Sequence, residues 1–262
     1  MPAPRCTPST TTVQSFYDDL AADYHLIFPD WDASTRRQGV VLDGLLTSLL
    51  GAGPHAVLDC SCGIGTQAIG LARRGHRVVG SDLSPRAAAR AAAEAAARDV
   101  RLPVAAADMR RLPFAPGAFD AVVSADNALP HLLSERDVTA ALLGMRRVLR
   151  DGGLLLISLR DYDEARRTRP TAAPPQVTRT PTGRAITFQL WHWHEDGERY
   201  DLEHFQLLPD GDGWTVRRRR TAYWALTRVE AVRLVTEAGF TDVAWQGPES
   251  TGYYQPVLTA RR

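Results

Sequence analysis

The chain has 262 residues, 44% of them hydrophobic and 23% charged, which suits one large globular domain or one domain with a substantial insertion. Its formal net charge of +1 offers nothing to a polyanion, so nucleic acid is excluded as an expected partner. No run of about twenty apolar residues exists to span a membrane.

Residues Met1 to Thr12 are rich in Pro, Ser and Thr, lack the apolar core of a secretory signal, and read as a disordered tail. The three cysteines, Cys6, Cys60 and Cys62, make no disulfide framework. A zinc set with His192, His194 and His204 fits no common ligand spacing, so no metal is expected and the chain reads as cytoplasmic and reduced.

From residue 13 to 50 apolar residues recur at helical spacing (Phe16, Tyr17, Leu20, Tyr24, then Val40, Val41, Leu45, Leu46 and Leu49), predicting a helical cap broken by the aromatic segment His25–Asp32. Alternation follows over 51–162. Val57-Leu58 is a strand, and Thr66 to Arg74 a helix closed by Gly75. Arg77–Ser81 is a strand, and Ser84-Pro85 starts an alanine-rich helix on which Arg90, Glu94 and Arg98 can pair. Val104–Ala107 is a strand ending at Asp108, Phe119–Ala125 another, Ser134–Leu149 a helix and Leu154–Leu159 an apolar strand. Strands apolar on both faces, alternating with helices, predict a doubly wound Rossmann-like α/β sheet.

Past Arg160 the pattern changes. Residues 163–183, rich in Arg, Thr and Pro, read as an exposed loop. Segments 185–194, 199–208 and 213–224 alternate around Asp196-Gly197 and Asp210-Gly211, predicting a small antiparallel sheet inserted over 163–226. The run Arg217–Arg220 falls in the last strand and reads as a solvated face rather than a phosphate site. Residues 227–262 complete the core with a helix at Arg228–Ala238 and strands near Val243 and Val257. No internal repeat is present.

Gly63-Ile64-Gly65-Thr66-Gln67-Ala68 fits the dinucleotide turn, with Asp82 placed to accept hydrogen bonds from ribose hydroxyls. That geometry serves NAD, FAD and S-adenosylmethionine alike. Three neighbouring features favour the methyl donor. Asp59, four residues before Gly63, repels a pyrophosphate and attracts a sulfonium or ammonium. Asp108-Met109 can hold an adenine. The loop Asp126-Asn127-Ala128-Leu129-Pro130-His131 lies beside the crevice at the carboxyl edge of the sheet.

The segment Val57 to Gly65 resembles motif I of class I S-adenosylmethionine methyltransferases. Asp126 to Leu132 resembles the Gly-Asn-Ser-x-x-His-Leu acceptor loop of glycine and glycine/sarcosine N-methyltransferases, and Leu159 to Asp163 their His-Arg-Asn-Tyr-Asp segment. Trp31 to Arg37 is similar to their segment that closes over the cofactor. The resemblance implies a donor site of Tyr24, Trp31, Arg37, Asp59, Cys60, Gly63, Gly65, Asp82, Leu83, Asp108, Met109 and Ala125, with S-adenosylhomocysteine as product. It implies that Arg160 clamps an acceptor carboxylate while Asn127 and His131 orient the acceptor group. A surface ion pair for Arg160, a helix cap for His131 and core packing for Trp31 are the competing roles.

The aromatic-rich insert puts Trp191 and Trp193 on one face and His192 and His194 on the other. Tyr162, Trp191, Tyr200, Tyr223 and Tyr254 are candidates to wall an acceptor pocket, or else form the sheet's own core or an oligomer contact. Asp126 departs from the glycine enzymes' Gly and would repel the carboxylate of free glycine. The expected function is therefore N-methylation of a small amine or amino-acid-derived metabolite larger than free glycine, with a natural-product scaffold among the candidates. C- or O-methylation of an aromatic metabolite, with His131 or Asp126 as base, is the alternative, and an NAD-binding oxidoreductase the remote one.

Overall fold

The structure, a computed structural model, describes residues 12–181 and 183–262. The expected tail and Cys6 lie outside the described residues, except that Thr12 caps the first helix by accepting from Ser15 N. The chain forms α1 (Val13–Leu20), α2 (Trp31–Leu50), β1 (Ala56–Asp59), α3 (Thr66–Arg73), β2 (Arg77–Asp82), α4 (Pro85–Ala96), β3 (Val104–Ala106), β4 (Phe119–Ser124), α5 (Glu135–Val148), β5 (Leu149–Ser158) and α6 (Tyr162–Thr168). It continues with β6 (Ala172–Thr180), β7 (Gly183–Trp193), β8 (Arg199–Asp210), β9 (Gly213–Trp224), α7 (Arg228–Glu237), β10 (Thr241–Gln246), α8 (Pro248–Thr251) and β11 (Val257–Arg261). No helix among the described residues is long and apolar enough to cross a membrane.

Seven strands form the main sheet in the order β10-β11-β5-β4-β1-β2-β3. β1 to β5 run parallel, and β11 enters antiparallel between β5 and β10. Helices cover both faces because the strands are apolar on both. One buried cluster joins Leu58, Val122 and Leu155 to α5 and α7, the other joins Val57, Val123 and Leu156 to α2, α3 and α4. The strand order reverses at β1, between β2 and β4, and the carboxyl ends there flank the crevice where such sheets bind ligands. α2 lies tight on α3, where a Cβ added to Gly70 would meet Thr35 O at 2.5 Å.

The insert differs from its expected form. Segment 163–183 is no loop: it makes α6, capped by the Asp161 carboxylate, and then β6. The insert is therefore a four-stranded sheet, β6-β7-β8-β9, rather than three strands. Pro174 and Pro175 fit because β6 is an edge strand and its register shifts between Ala173 and Gln176, where no ladder donor is needed. The arginine run is only half solvated. Arg218 and Arg220 face outward onto Glu203 and Asp201, whereas Arg217 and Arg219 turn inward onto Asp23 in the turn after α1. Those inward pairs, with Gln206 donating to Asp23 O at 3.1 Å, latch the insert to the N-terminal helices.

Candidate active site

The donor half is built on the turn from β1 to α3. Gly63 has φ +53°, a region favouring glycine, and a Cβ there would meet Tyr24 Cε1 at 3.1 Å. Asp82, at the end of β2, accepts from Gly63 N at 2.8 Å through one oxygen and from Ser84 N at 2.8 Å through the other. One carboxylate thus ties the turn to the start of α4. Beside it lies a cavity of about 540 Å³, lined by Cys60, Gly63, Asp82, Leu83, Asp108, Met109 and Ala125 as expected from sequence, and covered by Tyr17 and Tyr24.

Four expected donor contacts lie elsewhere. Asp59 sits beneath the turn, fully buried, with Oδ1 accepting from Ser61 N, the backbone of Ala68 close to its carboxyl, and Oδ2 without a hydrogen bond of good geometry among the described residues. Burial raises its pKa to about 8, so it is mostly neutral at pH 7 and does not itself repel a pyrophosphate. The carboxylates that face the cavity are Asp82, Asp108, Asp126 and Asp137. Gly65 is the left-handed N-cap of α3 and is not among the residues lining this cavity. Trp31 packs between α2 and α3, donating to Thr66 Oγ1 at 2.8 Å beneath the Arg98 guanidinium. Arg37 lines the neighbouring cavity instead.

That second cavity measures about 410 Å³ and lies between the core and the insert. Tyr17, Tyr24 and Asp126 line both cavities and form their junction. Asp126 and Asn127 have φ +56° and +66°, the left-handed region that Asp and Asn enter more readily than other side chains. This explains how Asp126 can replace the glycine of the resembling loop. Its Oδ1 accepts from the phenol of Tyr254 and lies 3.1 Å from that of Tyr253, whose single proton it shares with Gln38 Oε1. Burial raises its pKa, partly opposed by those hydrogen bonds.

Asn127 lines the second cavity with a carboxamide already in use, donating to Tyr162 Oη at 2.8 Å and accepting from Arg160 N at 3.1 Å. It therefore positions its neighbours and has one oxygen lone pair left for an amine. The Arg160 guanidinium donates to Tyr200 Oη at 3.2 Å and Gln189 Oε1 at 3.1 Å, and stacks 4.6 Å above Trp191. It has no carboxylate partner among the described residues, so the expected alternative of a surface ion pair does not apply. Its charge is thus held only by neutral groups among the described residues.

His131 lines the donor cavity, not as a free base. Its Nε2 lies 2.7 Å from Tyr17 Oη, its Nδ1 3.4 Å from Thr221 Oγ1, and its ring 4.1 Å from that of Tyr223. Both ring nitrogens thus have a neighbour, and which of them carries the proton sets the direction of the bond to the Tyr17 phenol. Burial lowers its pKa to about 3, so it is neutral and already engaged at pH 7.

Three expected wall residues form a core instead. Tyr162, Trp191 and Tyr200 line neither cavity; Trp191 and Tyr223 sandwich Tyr200 at 4.8 and 5.4 Å, and Tyr200 reaches Tyr162 Oη at 3.1 Å. They hold Arg160 and Tyr223 from behind, while Tyr223 and Tyr254 do line the acceptor cavity. Among residues that sequence reasoning missed, Tyr17 is the chief one: its place on the apolar stripe of α1 marked it only as packing. Gln67, Gln38 and Tyr253, joined through Gln38 Oε1 at 2.7 Å from both donors, brace the junction; Gln67 sits in the glycine-turn motif and Tyr253 among the aromatics of the second half, while Gln38 carried no signal.

Residues 57–153 match the family described as "Methyltransferase domain". The chain is 38% identical over 151 residues, 57% of its length and 52% of the relative's, to a glycine/sarcosine N-methyltransferase of Parasynechococcus marenigrum. It thus spans about half the length of that relative. Among solved structures it is similar to the sugar N-methyltransferase KedS8 from Streptoalloteichus sp, with a TM-score of 0.75 at 18% identity over 100% of this chain and 98% of that one. S-adenosylmethionine-bound CalS10, an amino pentose methyltransferase from Micromonospora echinaspora, gives 0.71 at 20% identity over 92% and 95%. The chain carries the class I S-adenosylmethionine-dependent methyltransferase domain. S-adenosylmethionine is the methyl donor of such domains, and the glycine turn and the Asp82 cradle beside the first cavity suit it.

Proposed function

We propose that this protein methylates the nitrogen of a small amine that also carries an anionic group, an amino-acid-derived metabolite being the nearest class. One observation carries the reading: Asp126 lies at the junction of the two cavities, while the acceptor cavity also contains Arg160 without a carboxylate partner. A carboxylate facing the donor and a guanidinium deeper in suit the amine and the acid of a zwitterion, in that order. The acceptor cavity's roughly 410 Å³ falls in the range of about 300–1,000 Å³ typical of ligand pockets, which favours a molecule larger than glycine. The names of the glycine/sarcosine and sugar N-methyltransferase relatives agree with an amine acceptor.

S-adenosylmethionine supplies an electrophilic methyl carbon on a sulfonium. The chain's residues supply the rest. Asp126 draws the ammonium to the junction and, with its pKa raised by burial, takes the proton that frees the nitrogen lone pair. Arg160 fixes the acid, and Tyr17 and Tyr24 close water away between the cavities. Such positioning is worth up to about 7–11 kcal/mol, which leaves removal of the ammonium proton as the acid–base step the chain supplies. His131 holds Tyr17 in place. Incubation with donor labelled at the methyl carbon, and a panel of carboxylate-bearing amines and of phenols, tests the reading. An N-methyl carbon resonance in the product is expected; label found only on oxygen or carbon refutes it.

A further inference from the structure

The acceptor cavity has a roof whose polar groups the proposed reaction does not use. In the inserted sheet Gln189, His204 and Arg219 stand opposite one another on β7, β8 and β9, so all three project from the inner face. Arg219 is spoken for by Asp23. His204 is not. It is 3% exposed and lines the acceptor cavity, and its Nε2 is buried with no hydrogen-bond partner among the described residues. Burial, and then the Arg219 charge, lower its pKa to about 4, so it offers a neutral imidazole at pH 7. Its neighbours have spare capacity too. Gln189 Oε1 already accepts from Arg160 at 3.1 Å and Trp191 at 3.3 Å, which leaves its amide NH₂ to donate. Gln176 spends its NH₂ on Ile27 O at 2.8 Å, which leaves its carbonyl to accept.

Buried polar groups are nearly always paired, so an unpaired imidazole on a ligand cavity marks a position that a ligand fills. The missing partner is uncharged, since a neutral imidazole beside a guanidinium does not call for a cation, and Arg160 already takes the anion. A hydroxyl fits every vacancy on this roof because it both donates and accepts, whichever tautomer His204 adopts.

We propose that His204, flanked by Gln189 and Gln176, is a specificity-determining residue that reads a hydroxyl group on the acceptor, set apart from its amine and its acid. This rests on the amine reading above and narrows it to hydroxylated amino acids and their relatives. The structure distinguishes such an acceptor from its deoxy counterpart, because the deoxy compound leaves the buried imidazole unpaired.

The test uses matched amines that differ by one hydroxyl at increasing distance: L-serine against L-alanine, L-homoserine against L-2-aminobutyrate, and 5-hydroxynorvaline against norvaline. Methyl transfer from S-adenosylmethionine is measured for each with the wild type, His204→Phe and His204→Gln. At least one pair is expected to show a kcat/KM ratio of ten or more in favour of the hydroxyl. His204→Phe should bring that ratio near one and His204→Gln should keep part of it, with S-adenosylhomocysteine affinity equal in all three as a check on folding. Transfer to these amines without hydroxyl preference, or a preference that survives His204→Phe, overturns the proposal alone. Transfer to none of them while a phenol is methylated overturns the amine reading and this proposal with it.

Discussion

The two cavities meet at three residues yet are built in opposite ways. The donor cavity is mostly made of turns at the carboxyl ends of β1, β2, β3 and β4, so its lining comes from short, contiguous stretches. The acceptor cavity draws on α1, α2, the loop after β4, the inserted strands and the Tyr254-Gln255 segment, residues from 16 to 255. The first is shaped largely by backbone conformation, the second by side chains that distant elements bring together. Damage to the donor half should therefore act through backbone geometry, and damage to the acceptor half through charge and hydrogen bonding. The halves should also fail separately.

The largest effect is expected from Gly63→Val, which puts a branched side chain at φ +53° against Tyr24. Donor affinity by calorimetry should fall at least about a hundredfold, in line with backbone strain of about 1–3 kcal/mol plus the steric clash. A wild-type affinity would dissolve the backbone half of the contrast. Next comes Arg160→Ala. Its acceptor kcat/KM should drop by about a hundredfold or more, from loss of a charge partner worth about 2–5 kcal/mol, with donor affinity within about twofold. Arg160→Lys should not rescue it, because an ammonium cannot span Tyr200 and Gln189 as the fork does. A parallel fall in donor affinity would show that the halves are not separable.

Tyr17→Phe probes the junction. It removes the hydrogen bond to His131 and should cost about 0.5–1.5 kcal/mol, read as a kcat about two- to tenfold lower with both KM values little changed. Asp59→Asn sharpens the donor side through pH. The folded pKa of about 8 stands above the ordinary carboxylate value, so folding favours the protonated form. Asp59 therefore weakens the wild type progressively as pH rises from about 4 to 8, by up to about 1.4 kcal/mol per pH unit. Denaturant melts should show the Asn variant gaining on the wild type across that window, and a constant difference would mean that Asp59 is ionised in the fold. The smallest effect belongs to Trp31→Phe, which loses the bond to Thr66 and should cost about 1 kcal/mol of stability while leaving acceptor kinetics alone.

The same contrast explains what could be read from the residues alone. The strand and helix order, the glycine turn, Asp82 and the Asp108-Met109 pair were legible because each depends on a local pattern. Trp31 and Arg37 were misplaced because their exits from α2 depend on how that helix crosses α3. In the insert, alternation correctly put Trp191 and Trp193 opposite His192 and His194, yet no local pattern says whether an inner face meets ligand or packs on itself. There the aromatic end became core and the polar end, Gln189 and His204, became the roof. The Arg, Thr and Pro content of 163–183 argues for a loop, and only the place of β6 at the sheet edge makes Pro174 and Pro175 tolerable in a strand. Asp59 misled in a different way: its position was right, but its burial, and so its charge, was not visible in sequence.

A crystal structure with S-adenosylhomocysteine and an amino acid that the protein methylates would test the central claim most directly. The account expects the donor product to be confined to the cavity at Gly63 and Asp82. It expects the amino nitrogen at Asp126, between Tyr17 and Tyr24, and the carboxylate on Arg160. An acceptor bound with its carboxylate toward Asp126, or lying outside the cavity beneath the insert, would contradict it.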